Sequence, residues 1–225
     1  MKTIKIIRIY LTVNLILITK LAGIGQERPI KYDLFSMAEN NKLEVFNRKV
    51  SSFSENEKMG IRLSKNENDG VAWLNGVDFS NGTIELDMRG KDVFQQSFLG
   101  IAFHGIDNKT LDAIYFRPFN FQSDDPVRKI HGVQYVSHPD FPWQVLREKF
   151  NGKYEKAVFP SPNGNEWFHV KIVIIYPGVK VFVNGNPESS LNIEKLNNRK
   201  TGKIGLWVGN NSEGDFANLQ IAAQD

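Results

Sequence analysis

Short apolar or alternating runs, each closed by Gly, Asn, Asp or Pro, recur along the sequence from about residue 40 onwards. Examples are "TIELDMRG" at 83–90, "WFHVKIVIIY" at 167–176 and "KIGLWVG" at 203–209. Period-2 alternation is typical of half-buried strands, and many short strands at this spacing favour a sandwich or a barrel. Helical periodicity is weak and is clearest in "PWQVLREKF" at 142–150. The pattern therefore predicts an all-β fold.

The first 25 residues have the order of a secretory signal peptide. Lys2, Lys5 and Arg8 precede an apolar run at 9–18, and small residues follow from Ala22 on. This order is typical of an export signal that is removed. The sequence thus predicts a mature single domain at 26–225 that is secreted or periplasmic, with no membrane insertion after cleavage. An uncleaved anchor is the alternative, although the run is shorter than the roughly 20 residues of a membrane span.

Removal of this segment changes the net charge. The whole chain is +3, with 28 Lys and Arg against 25 Asp and Glu, and four of the basic residues lie in the leader, which has no acid. The remaining 24 basic and 25 acidic residues give a net charge of −1. Since the basic pI comes from the leader, we expect no nucleic-acid partner.

The chain has no cysteine, which excludes disulfides, thiolate metal sites and a cysteine nucleophile. Its four histidines lack the H-x-H and H-E-x-x-H spacings of metal sites, so no metal ligands are predicted among them. No phosphate loop, dinucleotide fingerprint or G-x-S-x-G elbow occurs, and we expect no cofactor. A calcium site of loop oxygens stays open, with three candidate pairs: Asp107 and Asn108, Asp124 and Asp125, Glu213 and Asp215.

The C-terminal part carries a recognisable series of motifs. A tryptophan precedes the strand at 168–176, a V-x-V-N-G hairpin follows at 181–185, and then come G-x-I-G-L-W at 202–207 and F-x-N-L-x-I at 216–221. Together with "VAWLNGVDFSNGTIELDMRG" at 71–90, this resembles the concanavalin A-like lectin/glucanase superfamily, which includes laminin G-like domains and the 3-keto-disaccharide hydrolase domain family. The resemblance implies an antiparallel two-sheet jelly-roll sandwich, with ligands bound along one concave sheet or its rim loops.

The strand "IELDMRG" is the first candidate for a catalytic segment. Alternation places Glu85, Asp87 and Arg89 on one face. Family-16 glycoside hydrolases of the superfamily carry E-x-D-x-E there, and the outer glutamates are nucleophile and acid/base. Retaining hydrolysis needs two carboxyl groups about 5–5.5 Å apart. Because Arg89 replaces the second glutamate, we expect this strand to be structural and its acids to be dispensable.

The middle of the chain is the part richest in histidine, aromatic, arginine and amide side chains. Alternation places Tyr115 and Arg117 on one face of a strand. Pro118 cannot donate to a sheet ladder, so it predicts an edge or a bulge that brings Asn120 round to Arg117. Arg117 is thus expected in a ligand groove and not in the core. The predicted substrate-binding residues are His104, Tyr115, Arg117, Asn120, Gln134, Tyr135, His138 and Trp143.

Carbohydrate suits such a groove, because sugar C–H faces stack on aromatic rings and hydroxyl groups need planar donors and acceptors. The sequence therefore predicts a carbohydrate or glycoside ligand. Two functions stay open: a non-catalytic glycan-binding protein, or a glycoside-hydrolysing enzyme as the resemblance to 3-keto-disaccharide hydrolases implies. The candidate acid/base residues for the enzyme are Glu155, Asp107 and His104. A laminin G-like protein-interaction module without activity is the remaining alternative.

We predict that residues 1–25 are absent from the mature protein. The intact mass of protein exported by its native host should correspond to 26–225, because export signals of this kind are cleaved after a small-residue site. A species that retains Met1 would contradict cleavage and favour the anchored form.

Overall fold

The computed structural model describes residues 28–56 and 58–224, so the predicted leader and the boundary after residue 25 lie outside the described residues. The strands are β1 (Ile30–Tyr32), β2 (Leu43–Phe46), β3 (Val50–Glu55), β4 (Lys58–Leu63), β5 (Gly70–Phe79), β6 (Asn81–Arg89), β7 (Leu99–Gly105), β8 (Asp112–Phe116), β9 (Val133–Ser137), β10 (Glu155–Lys156), β11 (Phe168–Ile175), β12 (Gly178–Val183), β13 (Leu191–Glu194), β14 (Gly202–Val208) and β15 (Gly214–Gln224). The helices are α1 (Leu34–Glu39), α2 (Pro118–Phe121), α3 (Pro126–Lys129) and α4 (Trp143–Phe150). No helix in this described part is long and apolar enough to cross a membrane.

The strands form two antiparallel sheets. One has the order β13-β12-β11-β6-β15-β4-β3, with β1 paired to β15, and the other has the order β10-β9-β8-β7-β14-β5-β2. Strands far apart in the chain are neighbours: β6 lies between β11 and β15, and β14 lies between β7 and β5. Such crossed connections are typical of a jelly roll and not of a simple meander. The predicted all-β, two-sheet fold is confirmed.

Alternate residues of the strands form the core between the sheets. Ile84, Leu86 and Met88 of β6 are fully buried, as the sequence predicts. Phe116 of β8 and Phe168 of β11 join the two sheets, with ring centroids 5.3 Å apart. Full burial of one large apolar side chain contributes roughly 1.5–3 kcal/mol, so these inward positions dominate the stability of the sandwich.

The seven-stranded sheet is buried on both faces in its middle. Every residue of β7, β8 and β9 is buried, although only one face packs against the eight-stranded sheet. The other face, here called the outer face, is covered in part by loops and by α2, α3 and α4. Strands buried on both faces read as continuous apolar runs, which explains why "LGIAF" in β7 shows no polar alternation. The outer face carries the candidate site.

The chain turns at Pro118 differently from the expectation. β8 ends at Phe116, Arg117 precedes α2, and Pro118 is the first residue of that helix. Proline favours this position because its fixed φ suits a helix and its missing N–H has no partner there. The predicted edge or bulge at Pro118 is therefore wrong. The helix still brings Asn120 beside Arg117, since both side chains donate to the carbonyl of His131 at 3.1 Å.

A buried ionic network joins the ends of the two sheets. Lys195, just after β13, places Nζ 3.0 Å from Oδ2 of Asp112 in β8, and both side chains are 0% exposed. The Tyr135 hydroxyl donates to Asp112 Oδ1 at 2.6 Å. Burial and the Lys195 charge lower the pKa of His104 to about 4, so at neutral pH its Nδ1 accepts from Lys195 and its Nε2 donates to the carbonyl of Ser80.

We expect Lys195→Met to lower the free energy of unfolding by about 3–5 kcal/mol, because the substitution leaves the Asp112 carboxylate buried without its main partner. Urea unfolding at pH 7 measures this. The control is Lys203→Met, since Lys203 pairs with a half-exposed Glu44 and its loss should cost about 1 kcal/mol or less. Equal small losses for the two variants would contradict a stabilising role for the network.

Candidate functional site

A cavity of about 640 Å³ opens on the outer face of the seven-stranded sheet and is bordered by α2, α3 and α4. This volume lies in the range of small-molecule sites, roughly 300–1,000 Å³. The lining combines aromatic rings, guanidinium groups, amides, imidazoles and a carboxylate. It comprises Asp69, Phe94, Gln95, Phe98, Tyr115, Arg117, Phe119, Asn120, Arg128, His131, Val136, His138, Pro142, Trp143, Gln144, Arg147, Trp207, Gly209 and Asn210.

The floor of the cavity is aromatic because a glycine lies in the strand between two large rings. Gly100 of β7 is paired with Tyr115 of β8 on one side and with Trp207 of β14 on the other. Without a side chain at 100, the two rings approach to a centroid distance of 5.1 Å. A Cβ at this position would lie 2.0 Å from the carbonyl oxygen of Ile114, so the close strand packing also requires glycine.

Arg117 forms one wall of the cavity. Its side chain is only 7% exposed, and it donates to the Tyr115 hydroxyl at 2.6 Å and to Oε1 of Gln134. Burial raises the pKa of Tyr115 to about 12, so this hydroxyl stays protonated and itself donates to Gln134 at 2.9 Å. Neutral groups of β8 and β9 thus hold the guanidinium in one orientation.

Glu155 lies behind this wall and is engaged by two arginines and a histidine. Arg147 binds it with two hydrogen bonds of 2.9 and 2.7 Å, His131 Nδ1 lies 2.8 Å from it and Arg117 lies 3.7 Å from it. Burial opposes its ionisation, but the hydrogen bond and charge of Arg147 outweigh this and lower the pKa of Glu155. A carboxylate held ionised in this way is poorly suited to act as a general acid at neutral pH.

The opposite side of the cavity carries a titratable pair. Asp69 and His138 approach to 3.9 Å between Oδ2 and Nε2. The Asp69 side chain is 47% exposed, yet partial loss of water at the cavity raises its pKa; burial lowers the pKa of His138, since both effects disfavour the charged form. Asp69 is the one carboxylate among the cavity-lining residues of the described chain.

Two loops at this side are held by a buried arginine. Arg48 donates to the carbonyls of Asn68 at 2.6 Å and Gly209 at 2.9 Å, and it is 9% exposed. Both loops contribute lining residues, namely Asp69 and Asn210. The same arginine therefore sets the position of both loops.

Two exposed aromatic rings stand at the rim. Trp143 is 42% exposed and Phe94 is 55% exposed. Each ring carries a guanidinium on its face: Arg147 lies 5.0 Å from the Trp143 centroid and Arg128 lies 4.5 Å from the Phe94 centroid. Stacked cations restrict both rings, so the rim offers apolar surfaces of fixed orientation.

The structure brings together five of the predicted substrate-binding residues. Tyr115, Arg117, Asn120, His138 and Trp143 line the cavity, and Gln134 lies directly behind Tyr115 and Arg117.

His104 and Tyr135 do not line the cavity but belong to the ionic network in the core. Tyr135 follows Gln134 directly, so the two must face opposite sides of β9. His104 has φ +49°, which breaks the alternation of β7, and β14 shifts register opposite it, between Lys203 and Gly205. Both deviations are tertiary features that the alternation of a single strand does not reveal.

The candidate acid/base residue Asp107 lies in an exposed turn. Its Oδ1 accepts from the backbone N–H groups of Lys109 at 2.8 Å and Thr110 at 2.7 Å. These bonds lower the pKa of Asp107, so it caps its own turn and does not approach the cavity. In the described residues, no group of three or more histidine or carboxylate side chains is arranged to hold a metal ion.

Sequence reasoning missed several lining residues. Trp207 of the G-x-I-G-L-W motif is 5% exposed and packs in the core, and its ring also forms part of the cavity floor. Asp69, Phe94, Arg128 and Arg147 come from loops and short helices, whose positions alternation does not fix. The available signal for Arg147 was its place near the predicted ligand residue Trp143, in the stretch at 142–150 where helical periodicity is clearest.

The "IELDMRG" strand lies on the other sheet, away from the cavity. Glu85 contacts His169 and Lys171, and Asp87 contacts His169 and Lys58. Burial would raise the pKa of Asp87, but hydrogen bonds from His169 and Lys58 outweigh it and lower the pKa to about 2. These acids are engaged in ion pairs with side chains of β11 and β4.

No protein-family model matches the chain, and no curated protein matches its sequence. Among solved structures, the chain is similar to a Bacillus subtilis protein of unknown function with a galectin-like fold (TM-score 0.59, 12% identity, 89% of this chain and 99% of that one). It is also similar to the carbohydrate binding module CBM66 from Bacillus subtilis (TM-score 0.56, 14% identity, 79% and 93%). A third similar structure is Bacillus licheniformis beta-glucanase (TM-score 0.50, 14% identity, 89% and 99%). The described chain therefore has the concanavalin A-like jelly-roll fold of lectins and glucanases.

Proposed function

We propose that the protein binds a carbohydrate in the cavity of the outer face. The observation that supports this most directly is the lining, where exposed rings at the rim stand above fixed guanidinium and amide groups. Sugar rings stack on aromatic surfaces through their C–H faces, and their hydroxyl groups pair with planar donors and acceptors. Structural similarity to a carbohydrate binding module and a beta-glucanase agrees with this class of ligand. The leader expected at 1–25 would place the encounter outside the cytoplasm.

The charges around the cavity favour binding over hydrolysis. Glycoside hydrolysis generally uses a pair of carboxyl groups on the two sides of the scissile bond. In the described chain, Asp69 is the one carboxylate that lines the cavity, and Glu155 is held ionised behind the wall by Arg147. A ligand in this site would therefore be held without a second carboxyl group at the bond to be broken.

Hydrolysis is the second candidate function, and one observation supports it. Asp69 and His138 lie 3.9 Å apart at the cavity, where partial loss of water raises the pKa of Asp69 and burial lowers that of His138. A carboxyl group and an imidazole in such a position can donate and accept a proton in catalysis. In this alternative, Asp69 is the acid and His138 the base, acting on ordinary or 3-keto glycosides.

We expect Trp143→Ala to weaken binding of any glycan that a screening array identifies by about tenfold or more, because the substitution removes an exposed stacking surface at the rim. Calorimetric titration measures the change in Kd. Phe159→Ala is the matched control, since Phe159 is 63% exposed and does not line the cavity. Equal effects of the two substitutions would place the ligand elsewhere.

We expect the unmutated protein to release no sugar from ordinary or 3-keto glycosides. If turnover is found, Asp69→Asn should lower kcat roughly 100- to 10,000-fold and Glu85→Gln should leave it unchanged. Glu155→Gln should instead lower the free energy of unfolding by about 3 kcal/mol or more, because Arg117 and Arg147 lose their buried carboxylate. A large loss of kcat for Glu85→Gln alone would show instead that the strand at 83–90 is catalytic, as in family-16 glycoside hydrolases.

A further inference from the structure

The cavity carries more positive than negative charge. Three guanidinium groups line it, from Arg117, Arg128 and Arg147, against the single lining carboxylate of Asp69. Glu155 behind the wall compensates Arg117 and Arg147 together. Asp69 lies beside His138, on the loop that Arg48 holds. The compensation by Glu155 does not extend to Arg128.

Arg128 is fixed in place by neutral partners alone. It donates to the carbonyl of Phe119 at 2.8 Å and to Oδ1 of Asn120 at 3.3 Å, and it lies over the ring of Phe94. It forms no ion pair with any residue in 28–56 or 58–224. A guanidinium has five N–H donors, and these two bonds leave three of them without a protein acceptor in that part of the chain. The group is therefore oriented and charged, and it has donors free for a ligand.

We propose that the ligand is an acidic glycan whose ring carboxylate pairs with Arg128; this rests on the proposed carbohydrate-binding function. The planar fork of a guanidinium matches the two oxygens of a carboxylate, and such pairs are among the strongest hydrogen-bonded contacts. With its carboxylate at Arg128, a uronate sugar lies beside Phe94, and a neighbouring sugar can extend towards Trp143. A neutral sugar would leave the charge of Arg128 without a counter-ion.

Calorimetric titration of the mature protein tests this with paired probes. The probes are trimers of galacturonate, mannuronate and glucuronate, each with its carboxyl-reduced neutral form, and a sulfated galactose trimer. We expect at least one uronate trimer to bind about 10- to 100-fold more tightly than its reduced form at low salt, the scale of one hydrogen-bonded charge pair. This preference should diminish as sodium chloride screens the charges.

Matched variants assign the preference to one residue. R128Q should bind a uronate trimer and its reduced form equally, and R128K should retain part of the preference because it keeps the charge without the fork. K129Q removes an adjacent charge outside the cavity and should leave the preference unchanged. Melting temperatures equal to that of the unmutated protein would show that R128Q and R128K are folded.

The outcomes separate this inference from the proposed function. Equal binding of acidic and reduced trimers, with no effect of R128Q, overturns the acidic ligand and leaves carbohydrate binding intact. If the sulfated trimer binds more tightly than every uronate, and R128Q loses this preference, the group that pairs with Arg128 is a sulfate ester. That result overturns the proposal of a carboxylate. Failure of these probes and of a neutral glycan array to bind overturns the proposed function and this inference together.

Discussion

The carboxylate of Glu155 holds together the wall on which the cavity depends. It comes from a two-residue edge strand, yet it contacts Arg117 after β8, Arg147 in α4 and His131 before β9. Three separate pieces of chain therefore meet at one buried anion. Because Glu155 and Arg117 are only 3% and 7% exposed, each of these two charges depends on its partners in the set, and the loss of one partner leaves a buried charge unpaired. The wall therefore depends on all four side chains together.

Arginines also organise the loops by a second route, through backbone carbonyls. Arg48 binds the carbonyls of two loops at the rim, Arg117 binds that of His131, and Arg128 binds that of Phe119. Loops have few ladder partners of their own, so a planar multi-donor side chain replaces the missing strand pairing. Loops ordered before a ligand arrives lower the entropy lost on binding. The site is accordingly preorganised by the same residue type that supplies its charge.

The fold was predictable from the sequence because local alternation, in strands such as β6 and β11, directly predicts which side chains are buried. The site was predictable only in part, for the same reason. Tyr115 and Arg117 were found because one strand and its end position them. Asp69 and Arg128 reach the cavity through loop paths that depend on long-range contacts, and the left-handed backbone of His104 turns a predicted ligand residue into the core. Local periodicity thus predicts which face of a strand a side chain occupies, but not where a loop places its side chains.

The order of strands has a consequence for how the chain reaches its native state. β15 lies between β6 and β4, and β14 lies between β7 and β5, so the last two strands occupy interior places in the two sheets. Neither sheet can be completed before residues 202–224 are available, and the earlier strands have unpaired edges until then. Pairing over such separations is slow, since the loop-closure entropy is lost before the contacts form. Assembly should therefore be a late, all-or-none event, because the strands made first cannot complete either sheet on their own.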